Sequence, residues 1–111
     1  MQSLRLFHFD IPTWGNFGDK ALFPVVRDAF RVLGGTDEAS GEPNFAFASA
    51  AALRREVDEA AVARINATAD AVVIGGAGQF LRDPNPSRLS GWQGKISPEA
   101  LTALEVPLIV Y

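Results

Sequence analysis

The sequence predicts an α/β protein in which helices cover both faces of a parallel sheet. Short apolar runs typical of buried strands alternate with helical patterns, in the order β-α-β-α-β-loop-α-β. A length of 111 residues suits a single domain. Crossovers in such sheets are right-handed, and ligands bind outside the carboxyl ends of the strands.

The first predicted strand covers Leu4–Phe9, an apolar run that Asp10-Ile11-Pro12 ends. A helix follows, because apolar residues recur at steps of three and four, and Gly34-Gly35 ends it. Proline fits only the first turn of a helix. The helix therefore either begins near Phe23, just before Pro24, or follows a tighter turn over residues 19–23. The apolar face of this helix would comprise Leu22, Val25, Val26, Ala29, Phe30 and Leu33, with Arg27, Asp28 and Arg31 opposite.

A second strand is predicted over Asn44–Ala48, with Phe45 and Phe47 on one face. The next segment, Ala50–Ala67, is rich in strong helix formers. Because Asp58 could cap a second helix, this segment forms either one helix or two short ones. Its buried side would comprise Leu53, Val57, Ala61 and Ile65.

The clearest buried strand is Ala71–Ile74, which leads directly into glycines. Ser97-Pro98-Glu99 combines a cap residue, a proline at the first position and an acid near the positive end of the helix dipole, and so predicts a helix to about Leu104. The last apolar run, Pro107–Tyr111, looks like an interior strand. Because a loop normally follows such a strand, we expect residues 1–111 to be the N-terminal part of a longer protein.

Composition excludes several classes of function. Ten Lys and Arg against thirteen Asp and Glu give a net charge of −3, without the basic patch of a nucleic-acid-binding protein. The absence of cysteine excludes a disulfide scaffold, a thiolate metal site and a cysteine nucleophile, and a single histidine excludes a His-rich metal cluster. No apolar stretch approaches the ~20 residues of a membrane span, and the N-terminus lacks a signal-peptide pattern. We therefore expect a cytoplasmic protein that uses no metal and no cofactor.

Two loops at predicted carboxyl ends of strands carry most of the candidate binding residues. The first follows the first strand and contains Asp10, Asn16, Gly18 and Asp19. Gly18 lets the backbone turn or approach a ligand. For Asn16 and Asp19, helix capping and turn formation compete with a role toward a sugar or phosphate at a helix N-terminus.

The second loop follows Ala71–Ile74, and its glycines suit a backbone that contacts an anionic or sugar ligand. Tight strand-to-helix packing explains these glycines equally well. Leu81 stands where the dinucleotide fingerprint requires a third glycine, and the Gly-Lys-Ser/Thr of a P-loop is absent. The candidate residues of this loop are Gly75, Gly76, Gly78 and Gln79.

Three further residues have chemistry that a site could use. His8 lies within the first predicted strand, where a histidine is more often a packed core residue than a ligand or base. Trp92 could stack on a sugar ring, and Arg88 could pair with phosphate or carboxylate. Burial in a loop explains Trp92 equally well.

The two loops together resemble the polysaccharide pyruvyl transferase family. The matching segments are Gly15-Asn16-Phe17-Gly18-Asp19 and Ala69-Asp70-Ala71-Val72-Val73-Ile74-Gly75-Gly76-Ala77-Gly78, and the end of the chain from Gly91 to Tyr111 looks like the family's next helix and strand. Ala77 departs from the commoner all-glycine form. The resemblance implies that the chain is the Rossmann-like N-terminal half of a two-domain, glycosyltransferase-B-like enzyme of exopolysaccharide biosynthesis, with its C-terminal domain absent.

Members of this family transfer a pyruvyl group from phosphoenolpyruvate to two hydroxyls of a sugar, forming a ketal and releasing phosphate. By this resemblance Asp10 and Asp19 would orient or deprotonate hydroxyls, the amides of residues 75–78 would contact an oxyanion, and Arg82 and Arg88 would pair with the donor. Without the second domain, the isolated chain is expected to be inactive. Two alternatives remain open: an α/β module that binds a sugar or nucleotide-sugar without chemistry, and an assembly domain that self-associates or is completed by another chain.

Overall fold

A computed structural model describes residues 3–9, 17–49, 55–75, 88 and 94–111. In chain order its elements are β1 (Leu4–Phe9), α1 (Phe17–Gly34), β2 (Phe45–Ser49), α2 (Glu59–Thr68), β3 (Ala71–Ile74), α3 (Pro98–Thr102) and β4 (Leu108–Val110). Strands and helices alternate as the sequence predicts.

The four strands form one parallel sheet in the order β2-β1-β3-β4. The chain passes from β1 to β2 on one side and then crosses back over β1 to β3 on the other. Because parallel crossovers are right-handed, this reversal places α1 on one face of the sheet and α2 and α3 on the opposite face. The predicted α/β class with a parallel sheet is therefore confirmed.

Alternate side chains of the strands form two separate cores. Leu6 of β1 and Ala71 and Val73 of β3 pack on one face, together with aromatic rings of α1 and β2. On the other face, Phe9 and Val72 pack against α2 and α3. All four residues of β3 are buried, because β3 lies between two strands and beneath helices on both faces.

Helix α1 differs from its prediction in two ways. It is continuous from Phe17 and contains Pro24, so neither predicted start, near Phe23 or after a turn over residues 19–23, is correct. Pro24 removes one hydrogen bond, whereas Phe23 and Phe30, on either side of it, pack on rings of β2 and stabilise the helix. The helix ends as predicted: Gly35 has a left-handed φ of 67° and donates its N–H to the Arg31 carbonyl at 2.9 Å.

The inward face of α1 is also rotated from the predicted one. Phe23 and Phe30 face the sheet, where Phe30 lies 5.2 Å from the Phe47 ring. Val25 and Leu33, which we placed on the buried face, are 62% and 81% exposed. Aromatic rings bury more apolar area than these aliphatic side chains, so they determine which face packs.

Helix α2 begins at the predicted cap. The Asp58 carboxylate accepts the Ala61 N–H at 2.8 Å, and residues 55–58 are not helical, so a helix starts at Asp58 rather than running through it from Ala50. Leu53 lies outside the described residues. Within α2 the buried residues are Val62, which the sequence interpretation missed, and Ile65.

Helix α3 has the predicted Ser97 cap, whose hydroxyl accepts the Ala100 N–H at 3.0 Å. Strand β4, expected to be interior, lies at an edge among the described strands. Its side chains are accordingly exposed, with Leu108 at 40% and Val110 at 61%. Within the part of the chain that the structure describes, no helix has the length and apolar character needed to cross a membrane.

Candidate functional site

The carboxyl edge of the sheet is where the sequence placed both candidate loops. The last residues of β1 and β3 are directly paired, Phe9 with Ile74. The two strands are parallel neighbours, so β1 and β3 end side by side at the same edge of the sheet. This is also the position where the strand order reverses, at which doubly wound sheets bind their ligands.

Most of the predicted site residues lie outside the described residues. These are Asp10, Asn16, Gly76, Gly78, Gln79, Arg82 and Trp92. Arg88 is described and is exposed in a turn.

Gly18 and Asp19 lie in the first turn of α1, which begins at Phe17. Gly18 has helical backbone, so the turn expected there is not formed at this residue. Asp19 is the third residue of the helix and not the residue before it, so it is not the cap residue of α1.

Gly75 is buried at the end of β3 and is covered by Tyr111. A β-carbon at position 75 would collide with the Tyr111 carbonyl oxygen and would lie 3.0 Å from Cδ1 of the Tyr111 ring. Tyr111 also donates its backbone N–H to the Ile74 carbonyl at 3.1 Å. The close approach of Tyr111 thus gives a packing reason for glycine at this position.

His8 and Tyr111 form a hydrogen-bonded pair at this edge. His8 is fully buried, as the sequence interpretation favoured, and its Nε2 lies 2.8 Å from the Tyr111 hydroxyl oxygen. The two rings stack at 5.7 Å with an interplanar angle of 21°. The rings of Phe23 and Phe47 also pack around His8, and their centroids lie 5.8 and 6.3 Å from the centroid of the imidazole.

Tyr111 was absent from the candidates drawn from the sequence. The sequence does show that Tyr111 directly follows an apolar strand. In the structure, the carboxyl end of that strand lies at the same edge as the carboxyl ends of β1 and β3. The sequence does not show which strand the side chain contacts: from the end of β4 it extends past the end of β3 to β1. Only the strand order makes that contact predictable.

The ion pair of Arg5 and Asp70 lies at the amino ends of β1 and β3 and has a structural role. The Asp70 carboxylate, just before β3, accepts the Arg5 backbone N–H at 2.7 Å and the Arg5 Nε–H at 3.3 Å. The backbone hydrogen bond, followed by the side-chain hydrogen bond, holds the pKa of Asp70 below its ordinary value. Asp70 therefore fixes the entry to β3 rather than facing the carboxyl edge.

A second shifted carboxylate, Asp28, lies on the outer surface of α1. Its side chain accepts from Arg27 Nε at 2.9 Å, and this hydrogen bond lowers the pKa of Asp28. Among residues with described positions, no group of three or more His, Asp or Glu side chains is arranged to hold a metal ion.

The chain was compared with protein-family models, with curated proteins and with solved structures, and none of the three comparisons found a significant match.

Proposed function

We propose that the chain binds phosphoenolpyruvate at the carboxyl edge of β1 and β3, as part of a polysaccharide pyruvyl transferase-like enzyme. The observation that carries the proposal is the direct pairing of Phe9 with Ile74. Through this pairing, the segments that bear the two family-like motifs leave the sheet from adjacent strands. The proposal requires these segments to form one pocket, and the strand order is the arrangement it needs.

The proposed reaction adds two sugar hydroxyls to C2 of the enolpyruvyl group. The methylene carbon gains one hydroxyl proton and becomes a methyl group, two C–O bonds form at C2, and the C2–O bond to phosphate breaks. The second hydroxyl proton leaves with the phosphate. This chemistry needs a base near the sugar hydroxyl and positive or N–H groups near the carboxylate and phosphate. In our proposal Asp10 and Asp19 act on the hydroxyls, and Arg82 and Arg88 pair with the donor.

Titration of the ¹⁵N-labelled chain with phosphoenolpyruvate, followed by amide chemical shifts, tests this proposal. We expect saturable shifts at Phe9 and Gly75 and unchanged shifts at Asp70 and Arg5, at the other edge of the sheet. Inorganic phosphate and pyruvate serve as separate control ligands. Shifts at Asp70 and Arg5, or no shifts at any concentration of phosphoenolpyruvate, would contradict the proposal.

A phosphate-release assay with phosphoenolpyruvate and a panel of sugars tests the second half of the proposal. We propose that the active cleft lies between two domains, so the chain alone should release no phosphate above the rate without enzyme. Turnover by the chain alone would contradict the two-domain cleft. Tight binding of nucleotide-sugars without any response to phosphoenolpyruvate would instead favour a non-catalytic sugar-binding module.

A further inference from the structure

Pro24 lies in the interior of α1, which begins at Phe17 and ends at Gly34. An interior proline has no N–H to donate, and its ring presses against the carbonyl of the residue four positions earlier, which here is Lys20. The series of helical hydrogen bonds is therefore interrupted between Pro24 and Lys20. Sharp bends of helices occur mainly at such prolines, so this is the point at which α1 bends most readily.

The part of α1 that follows the proline is fixed to β2 and to the residue before it. The Phe30 ring lies 5.9 Å from the Phe45 ring and 5.2 Å from the Phe47 ring. At the end of the helix, the Gly34 carbonyl accepts the Asn44 Nδ2–H at 2.7 Å. A β-carbon at position 34 would collide with the Phe45 ring, so the last turn lies directly against β2. This part of the helix therefore moves with the sheet.

The part of α1 before the proline is anchored at Phe23, directly beside the proline. The Phe23 ring lies 5.8 Å from the ring of His8, the last residue but one of β1, and 6.3 Å from the Phe47 ring. From this anchor the helix runs back toward Phe45, at the amino end of β2. Residues 17–22 therefore extend in the opposite direction, toward the carboxyl edge of the sheet, over about 9 Å at 1.5 Å per residue.

We propose that Pro24 is a hinge, about which residues 17–22 of α1, called the arm below, open and close over the carboxyl edge of the sheet. Segments that close over a site commonly move about a few such residues. The arm contains Gly18 and Asp19, so its movement sets the distance of these residues from the end of β1. The inference goes beyond the proposed function and does not depend on which ligand binds at this edge.

Distances between two spin labels test whether the arm moves. The sequence contains no cysteine, so a pair of introduced cysteines is labelled selectively. The arm pair joins Lys20→Cys to Ala63→Cys, both at exposed helical positions, and the control pair joins Val32→Cys, in the fixed part of α1, to the same Ala63→Cys. We expect two maxima in the distance distribution of the arm pair and one narrow maximum for the control pair. Pro24→Ala restores the missing hydrogen bond and should reduce the arm pair to one maximum.

Amide hydrogen exchange measures the same opening from the backbone. The amides of residues 21–23 donate to carbonyls of the arm, and they should share one protection factor that is lower than the protection of residues 30–33. Pro24→Ala should raise the protection of residues 21–23 by about 10- to 100-fold, because an interior proline costs a helix that much in its equilibrium constant. Val25→Ala is the matched control: it improves helix propensity without restoring a hydrogen bond and should change the protection by about 3-fold.

Each possible result supports or overturns the hinge. Distributions of equal width for the two label pairs, or equal protection of residues 21–23 and 30–33, overturn it. An arm distribution that Pro24→Ala leaves unchanged also overturns it, because the movement would then originate elsewhere. Protection that increases stepwise from residue 21 to residue 23 contradicts it as well, since a fraying helix end gives that pattern and a segment that opens as a unit does not. None of these measurements involves phosphoenolpyruvate, so the hinge and the proposed function stand or fall separately.

Discussion

Removal of the Tyr111 hydroxyl gives the strictest test of the geometry at the carboxyl edge. Tyr111→Phe keeps the ring that stacks on His8 at 5.7 Å but deletes the partner that lies 2.8 Å from Nε2. Because His8 is fully buried, water cannot readily replace that partner. Loss of one partner of a buried polar nitrogen costs about 1–3 kcal/mol, which corresponds to a fall in Tm of about 4–8 °C for each kcal/mol.

A double-mutant cycle with His8→Phe isolates the contribution of the pair. Replacement of both partners by apolar rings removes the imidazole together with the hydroxyl that it contacts, so the double variant should be more stable than the sum of the single losses predicts, with a coupling of about 0.5–3 kcal/mol. Urea unfolding followed by circular dichroism gives the free energies of unfolding. The matched control is Val62→Ala, which lies in the other core and should be additive with Tyr111→Phe. A Tyr111→Phe variant with an unchanged unfolding midpoint, or a coupling of zero, would refute the pairing.

Three further predictions concern the helices and the edge opposite the site. Gly34→Ala should lower Tm: alanine is favoured over glycine in helices by about 1 kcal/mol, but the new methyl group collides with the Phe45 ring, and overpacking costs about 1–3 kcal/mol. Asp58→Ala should lower the free energy of unfolding in urea by about 1 kcal/mol, because it removes the cap of α2. For Asp70, whose pKa is lowered in the folded state by the Arg5 backbone N–H, stability gained at neutral pH should be lost as the pH falls below about 4; unfolding of Asp70→Asn should lack this acid-dependent loss.

Each of these predictions has a matched control. Gly41→Ala places a methyl group in open space at a φ of 71°, so it measures backbone strain without a collision. Glu59→Ala changes a neighbouring acid of α2 that is not the cap. Asn66→Ala, in α2, removes a side chain that carries no titratable group and should keep the wild-type acid dependence that Asp70→Asn loses. A stabilising Gly34→Ala, an unchanged Asp58→Ala, or parallel pH profiles for wild type and Asp70→Asn would contradict the respective contacts.

Local signals in the sequence predicted where most elements lie. Asp58 and Ser97 were identified as caps because a side chain that accepts a nearby N–H acts within one turn, whatever the rest of the chain does. The strand Ala71–Ile74 was identified because a continuous apolar run is typical of burial on both faces. These signals depend on neighbouring residues, so tertiary packing does not alter the elements that they predict.

The errors arose where tertiary packing competes with a local preference. Pro24 indicated a helix start, but packing of Phe23 and Phe30 on the sheet stabilises a helix that runs through it. Periodicity alone places Val25 and Leu33 on the buried face together with Phe30, although both are exposed in the structure. Hydrophobic periodicity identifies an apolar stripe, but the shape of the surface beneath decides which part of the stripe is buried.

By itself, the sequence determined the α/β class and the alternation of strands and helices, because both depend on neighbours within a few positions. Only the tertiary structure decided that β1 lies beside β3, and that His8 meets a tyrosine 103 residues later in the chain. Strand order and such distant pairs depend on how whole elements pack, and a contact between residues so far apart has no local signature in the sequence.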